Sequence, residues 1–184
     1  MDVENVIQEI NDLQDVYLRC KSIFPKLSPT LEGETSFPTA PLYQWQGYKV
    51  SINTGEKITP EFIKRYAEIG NWINENSIIR LFGILHFHEQ VGNKIKILRE
   101  LPGGEDVRYC CWVRNVITKT NLNYEPSEDS RNNELRSEII SYYKLEPDDY
   151  KEGEIPTPVD KVILAMFEGC RKYLRAKYGN AEQG

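Results

Sequence analysis

The chain has 184 residues, with 28 acidic side chains against 23 basic ones and a formal net charge of -5. That length suits one domain with a real core, and a composition 40% hydrophobic and 28% charged excludes both a disordered chain and a membrane-embedded one. The mild acidity, with a sequence pI of about 5.2, argues against a protein dominated by non-specific phosphate binding.

The first predicted element runs from Val3 to Phe24. Val3, Val6, Ile7, Ile10, Leu13, Tyr17, Cys20 and Phe24 recur at steps of three and four, while Glu4, Glu9, Asp12 and Asp15 occupy the other face. Pro25 ends this helix. The acidic, amphipathic start MDVENVIQEI does not read as a secretory signal.

Between positions 25 and 58, Pro25, Pro29, Pro38, Pro41, Gly33, Gly47 and Gly55 prevent a long helix. Tyr43, Trp45, Val50 and Ile52 alternate with polar residues there, which predicts either a packed loop or a short β-arm. Thr59-Pro60-Glu61 then supplies a cap, an N1 proline and a first-turn acid. The stripe Phe62, Ile63, Tyr66, Ile69, Ile73 is interrupted by Gly70 and by Asn71 to Ser77. It resumes at Ile78, Ile79, Leu81, Phe82, Leu85 and Val91. One long kinked helix over 60–91 or two helices meeting near Asn76-Ser77 both fit, with Gly92-Asn93 as the stop. The longest mainly apolar stretch, Ile78 to Phe87, is about half of the ~20 residues that a bilayer crossing needs.

A third helix is expected over Glu105 to Thr120, with Val107, Cys110, Cys111, Val113, Val116 and Ile117 inward. A polar loop with Pro126 separates it from a short helix over Glu134 to Leu145, and the acidic stretch Glu146 to Glu154 follows. Thr157-Pro158-Val159-Asp160 opens the last helix, whose buried face is Val159, Val162, Ile163, Met166, Phe167, Cys170 and Leu174, with Gly179 as its cap. The fold class is therefore all-α, a five- to six-helix up-down bundle with a proline-rich loop or short β-arm between the first and second helices. Residues 1–58 form a helix plus arm and 59–184 the bundle, together one compact unit.

Few residues offer chemistry. His86 and His88, the only histidines, lie two positions apart, so on a helix they point about 200° from each other and cannot share a metal. No metal site or cofactor is expected, and either histidine is a weak candidate for a general base. Cys20, Cys110, Cys111 and Cys170 contain no CxxC pair, and the chain has no Asn-x-Ser/Thr sequon, which predicts reduced thiols and a cytoplasmic location. Pro102-Gly103-Gly104-Glu105 lacks the Lys-Ser/Thr of a P-loop and reads as a turn into a helix, with Glu105 and Asp106 complementing the dipole.

Arg114 stands out. It lies at i+7 from Val107, i+4 from Cys110 and i−3 from Ile117, so a full charge falls on the apolar stripe. Such a guanidinium is either structural, paired with an acid of a neighbouring helix, or an anion contact in a cleft or across a dimer interface.

The helix Ile78 to Gln90, the helix carrying Trp112-Val113-Arg114-Asn115-Val116-Ile117, the polar loop, the short helix and the closing helix resemble the HEPN superfamily. These are small α-helical domains, many of them metal-independent ribonucleases of toxin–antitoxin, abortive-infection and CRISPR-associated systems. Their hallmark is Arg, a polar residue that is often Asn, three to five further residues, then His, and their dimers bring two such motifs to a shared cleft. Arg114 and Asn115 match the first two positions. Where histidine would stand the chain has Lys119, Thr120 and Asn121. Neither Thr nor Asn exchanges protons near neutral pH, and lysine does so only when strongly desolvated.

The resemblance thus implies a helical homodimer that binds RNA, a nucleotide or a protein partner in a defence or stress system, with Arg114, Asn115 and Lys119 as the anion contacts. The alternatives are an active ribonuclease completed by His86 or His88, and a helical interaction module with a purely structural Arg114. Charge is uneven: residues 121–160 hold 11 acids against 4 bases, and 161–184 hold 5 bases against 2 acids. A small basic spot on an acidic body is the expected surface.

Overall fold

A computed structural model describes residues 2–39, 51–92, 95–120, 130–146 and 160–179. Five helices make up the described architecture: α1 (Val3–Ile23), α2 (Pro60–Phe87), α3 (Gly104–Thr120), α4 (Ser130–Tyr143) and α5 (Asp160–Tyr178). Between α1 and α2 lie a 3-10 turn (Pro29–Leu31) and a two-stranded antiparallel sheet, β1 (Ser36–Pro38) with β2 (Ser51–Asn53), in which Phe37 pairs with Ile52. The fold is all-α with the small β-arm where the prolines place it. Tyr43, Trp45, Val50, Asn121 and the stretch Thr157-Pro158-Val159 lie outside the described residues.

Capping explains where the helices begin. Asp2 Oδ1 accepts the Glu4 and Asn5 amides at 3.1 and 3.2 Å, and Thr59 Oγ1 accepts the Phe62 amide at 3.2 Å ahead of Pro60. The polar run Asn71 to Ser77 does not split α2, which is one helix of 28 residues. Ser77 Oγ donates to the Ile73 carbonyl and Asn76 Nδ2 to the Trp72 carbonyl, each at 2.8 Å, so these side chains are satisfied along the helix.

The stop of α2 comes earlier than Gly92. Glu89 takes the left-handed conformation at φ 57°, while the Gln90 amide donates to Leu85 and the Glu89 amide to His86. That is a Schellman ending with glutamate in the usual glycine position. In α4 the helix begins at Ser130, one turn before the expected Glu134, and Lys144 ends it the same way at φ 50°.

One apolar cluster joins Val6, Ile7, Ile10, Leu13 and Tyr17 of α1 with Ile78, Leu81 and Leu85 of α2. Val107, Cys110 and Val113 of α3, Ile139 and Tyr143 of α4, and the whole Val162–Leu174 stripe of α5 belong to it as well. A satellite cluster of Leu27, Phe37 and Ile58 seats the β-arm on Phe62, Ile63 and Tyr66 of α2. A polar knot pins the start of α5: Asp160 Oδ1 accepts from Tyr17 Oη at 3.0 Å and Asn74 Nδ2 at 3.4 Å, and pairs with the buried Lys21 Nζ at 3.1 Å.

Where α3 meets α5 the backbones nearly touch. A Cβ on Gly103 would sit 1.9 Å from the Gly169 carbonyl oxygen, and one on Gly169 would sit 2.2 Å from the Asp106 carboxyl. The Gly103-Gly104 turn therefore serves helix-to-helix approach.

Candidate functional site

Arg114 sits half-buried at the edge between α2 and α3. Its guanidinium carbon lies 4.5 Å from the centroid of the Phe82 ring, and Nη1 donates to Asn115 Oδ1 at 2.9 Å. Among the described residues no carboxylate pairs with it. The acid-paired structural arginine is thus not what the structure shows; an aromatic face holds the cation instead, without neutralising it. The Phe82 face and the Asn115 side chain together hold the guanidinium in place.

The two histidines part company as their spacing requires. His86 is exposed and stacks on the same ring, 5.7 Å from Phe82 with an interplanar angle of 23°. His88 turns to α1, where its Nε2 lies 3.0 Å from Glu9 Oε1. Arg114, Asn115 and His86 therefore gather around Phe82, and His88 does not join them. Lys119 falls in the last turn of α3, and its side chain lies outside the described ones.

The thiols beside this site are quiet. Burial pushes the Cys111 thiol far up in spite of the neighbouring Arg114 charge, and Cys110 rises through its contact with Cys170 and its own burial. Protonated, buried sulfurs are poor nucleophiles. All four cysteines are free, and among the described residues no group of three or more His, Cys, Asp or Glu could hold a metal ion.

Sequence reasoning missed a second polar centre at the other end of α3. Asp106 is buried, its Oδ2 accepting from Tyr142 Oη and its Oδ1 from Tyr143 Oη, both at 2.9 Å. Burial raises its pKa, and the two tyrosine hydrogen bonds and the Lys172 charge only partly oppose that rise. A cleft of about 480 Å³ opens beside it between Tyr142, Lys161, Glu168 and Lys172. The signal was present in the sequence, because Asp106 lies at i−4 from Cys110 and i−7 from Val113, on the same stripe that singled out Arg114. Both oxygens of Asp106 are engaged by α4, so the group docks one helix on another.

At the helix junction nearby, Arg108 bridges Glu105 at 2.7 Å and also Glu138, tying α3 to α4. No family model matches this chain, and no curated protein or solved structure matches it at a significant level.

Proposed function

We propose that this chain is a HEPN-like helical homodimer of the cytoplasm that binds the phosphate of RNA or of a nucleotide at Arg114 without cleaving it. Its setting would be a defence or stress system such as a toxin–antitoxin pair. The observation that carries the reading is the Arg114–Phe82 contact: a cation 4.5 Å from the centre of an aromatic ring, with no carboxylate among the described residues to neutralise it. Asn115 steadies one side of the fork and leaves the rest of its donors for oxygen acceptors. Against cleavage stands the run Lys119-Thr120-Asn121, where the HEPN pattern would have its histidine. The cytoplasmic setting draws on the four free thiols, and no helix among the described residues is long and apolar enough to cross a membrane.

A second reading, a metal-independent ribonuclease, is favoured by one specific feature. His86 shares the Phe82 ring with Arg114 and is exposed, so an imidazole stands near the cation. Incubation with mixed RNA in EDTA separates the two. The binding reading predicts RNA retention that Arg114→Ala abolishes and no cleavage. Cleavage lost in both Arg114→Ala and His86→Ala would establish the second reading. Absence of both retention and cleavage, with Arg114→Ala changing only thermal stability, would leave a helical interaction module with a structural Arg114 and a protein partner.

A further inference from the structure

At the other end of α3 from Arg114, the cleft of about 480 Å³ beside Asp106 has the makings of a second site. Its volume falls within the ~300–1,000 Å³ of small-molecule pockets. One stripe of α5 forms a side of it: Lys161, Ala165, Gly169 and Lys172 recur at steps of three and four. The two small residues in the middle leave room, and a lysine stands at either end. Helix α4 and the residue after it contribute Tyr142, Tyr143 and Lys144.

The aromatic wall of this cleft is held in advance. Tyr142 lines it and is 43% exposed. Its hydroxyl donates to Asp106 Oδ2 at 2.9 Å, and its ring meets Tyr143 edge-on at 4.9 Å and Tyr109 at 5.3 Å. Those three contacts fix the orientation of the ring, and a fixed aromatic surface binds a ligand at little cost in side-chain entropy. Among the described residues it is the one exposed large apolar side chain outside α1 and α2.

Charge sets the sign of the ligand. Lys172 Nζ approaches Glu168 Oε1 only to 3.6 Å, while Arg171 Nη2 holds Glu168 Oε2 at 2.8 Å. The three N–H donors of Lys172 are therefore loosely engaged. Lys161 Nζ donates to the Lys144 carbonyl at 2.8 Å, which sets a second ammonium at the C-terminal end of α4. Three lysines thus line the cleft, against Glu168, already claimed by Arg171, and the buried Asp106. An anion is attracted. The same two carboxyls repel a second negative charge, which favours a monoanion over a phosphate dianion.

We propose that this cleft binds a small aromatic monocarboxylate, its carboxylate on Lys172 and its ring against Tyr142 beside Ala165 and Gly169. Lys161 and Lys144 supply positive potential at the far end. Asp106, with both oxygens taken by tyrosines, acts here by positioning Tyr142. The site shares no residue with the phosphate contact proposed at Arg114 and does not depend on it.

Saturation-transfer difference NMR of sodium benzoate with the full chain tests it. Saturable binding is expected, with a dissociation constant on the order of a millimolar for so small a ligand. Lys172→Ala removes a side chain that is 58% exposed, so the fold should stand, and binding is expected to weaken about tenfold. Ala165→Met, which fills the middle of the cleft, should abolish it, and benzyl alcohol, the same ring without the charge, should bind at least about tenfold more weakly. A benzoate signal that never saturates, or two variants that both bind as the wild type does, would overturn the proposal. Displacement of benzoate by phenyl phosphate at a lower concentration than benzoate itself requires would overturn the carboxylate assignment. RNA retention is read on Arg114→Ala and benzoate binding on Lys172→Ala, so the two readings fail separately.

Discussion

The two ends of α3 carry opposite charges on the same apolar stripe and are used in opposite ways. Asp106, at the start, is buried with both carboxyl oxygens taken by tyrosines of α4. Arg114, near the end, rests on Phe82 and has no carboxylate partner among the described residues. A charge on a stripe therefore does not announce its own role. Its partners decide: saturated partners make a strut, and an aromatic seat leaves the charge on which the proposed phosphate contact relies.

The largest expected effect breaks the strut. Asp106→Ala strands the buried Tyr143 hydroxyl and is expected to cost about 2–4 kcal/mol, read as a loss of melting temperature. Gly169→Ala forces a methyl into the Asp106 carboxyl, 2.2 Å away from the ideal Cβ, and should cost a similar ~2–3 kcal/mol by overpacking. A milder probe is Tyr143→Phe, which removes one hydrogen bond to a buried carboxyl for about 1–2 kcal/mol.

Acidity sharpens the contrast. Because burial raises the Asp106 pKa, the folded state holds that proton more tightly than the unfolded chain does. Stability contributed by this group is then greatest at low pH and falls as pH rises from the ordinary carboxylate range of about 4 through the raised value. Denaturant titrations at several pH values should show Asp106→Asn gaining on the wild type as pH rises. A difference that stays flat with pH would mean that burial does not govern this carboxyl.

At the other end the smallest stability effect is expected. Arg114→Ala should change folding by no more than about 1 kcal/mol, the worth of a half-exposed cation–π contact. Phe82→Leu should leave the fold within about 1.5 kcal/mol while loosening the arginine and weakening RNA retention.

Much of the architecture was legible in the residues. Spacing alone placed α1 and α5, and Thr59-Pro60 marked where α2 begins, because caps and apolar stripes are local signals. Whether Asn71 to Ser77 would break α2 was not legible, since Ser77 and Asn76 can satisfy themselves along a helix as readily as in a turn. The start of α4 slipped by a turn for a similar reason: Ser130 to Asn133 is polar and carries no apolar stripe.

At the candidate site Arg114 and Asn115 were visible from their position. The choice between His86 and His88 was not, because it depends on which neighbour each side of α2 meets, Phe82 of its own helix or Glu9 of α1. Asp106 was read as a dipole partner because it sits in a first turn, and only tertiary packing revealed the tyrosines that cover it.

The central claim is that Arg114 is a phosphate-binding cation. Its direct test is the salt dependence of single-stranded RNA binding by fluorescence anisotropy, wild type against Arg114→Ala. Loss of one phosphate contact predicts weaker binding and a logarithmic salt slope shallower by ~0.7 per site, with melting temperature nearly unchanged. Equal affinity and equal slope in the two proteins would contradict the account.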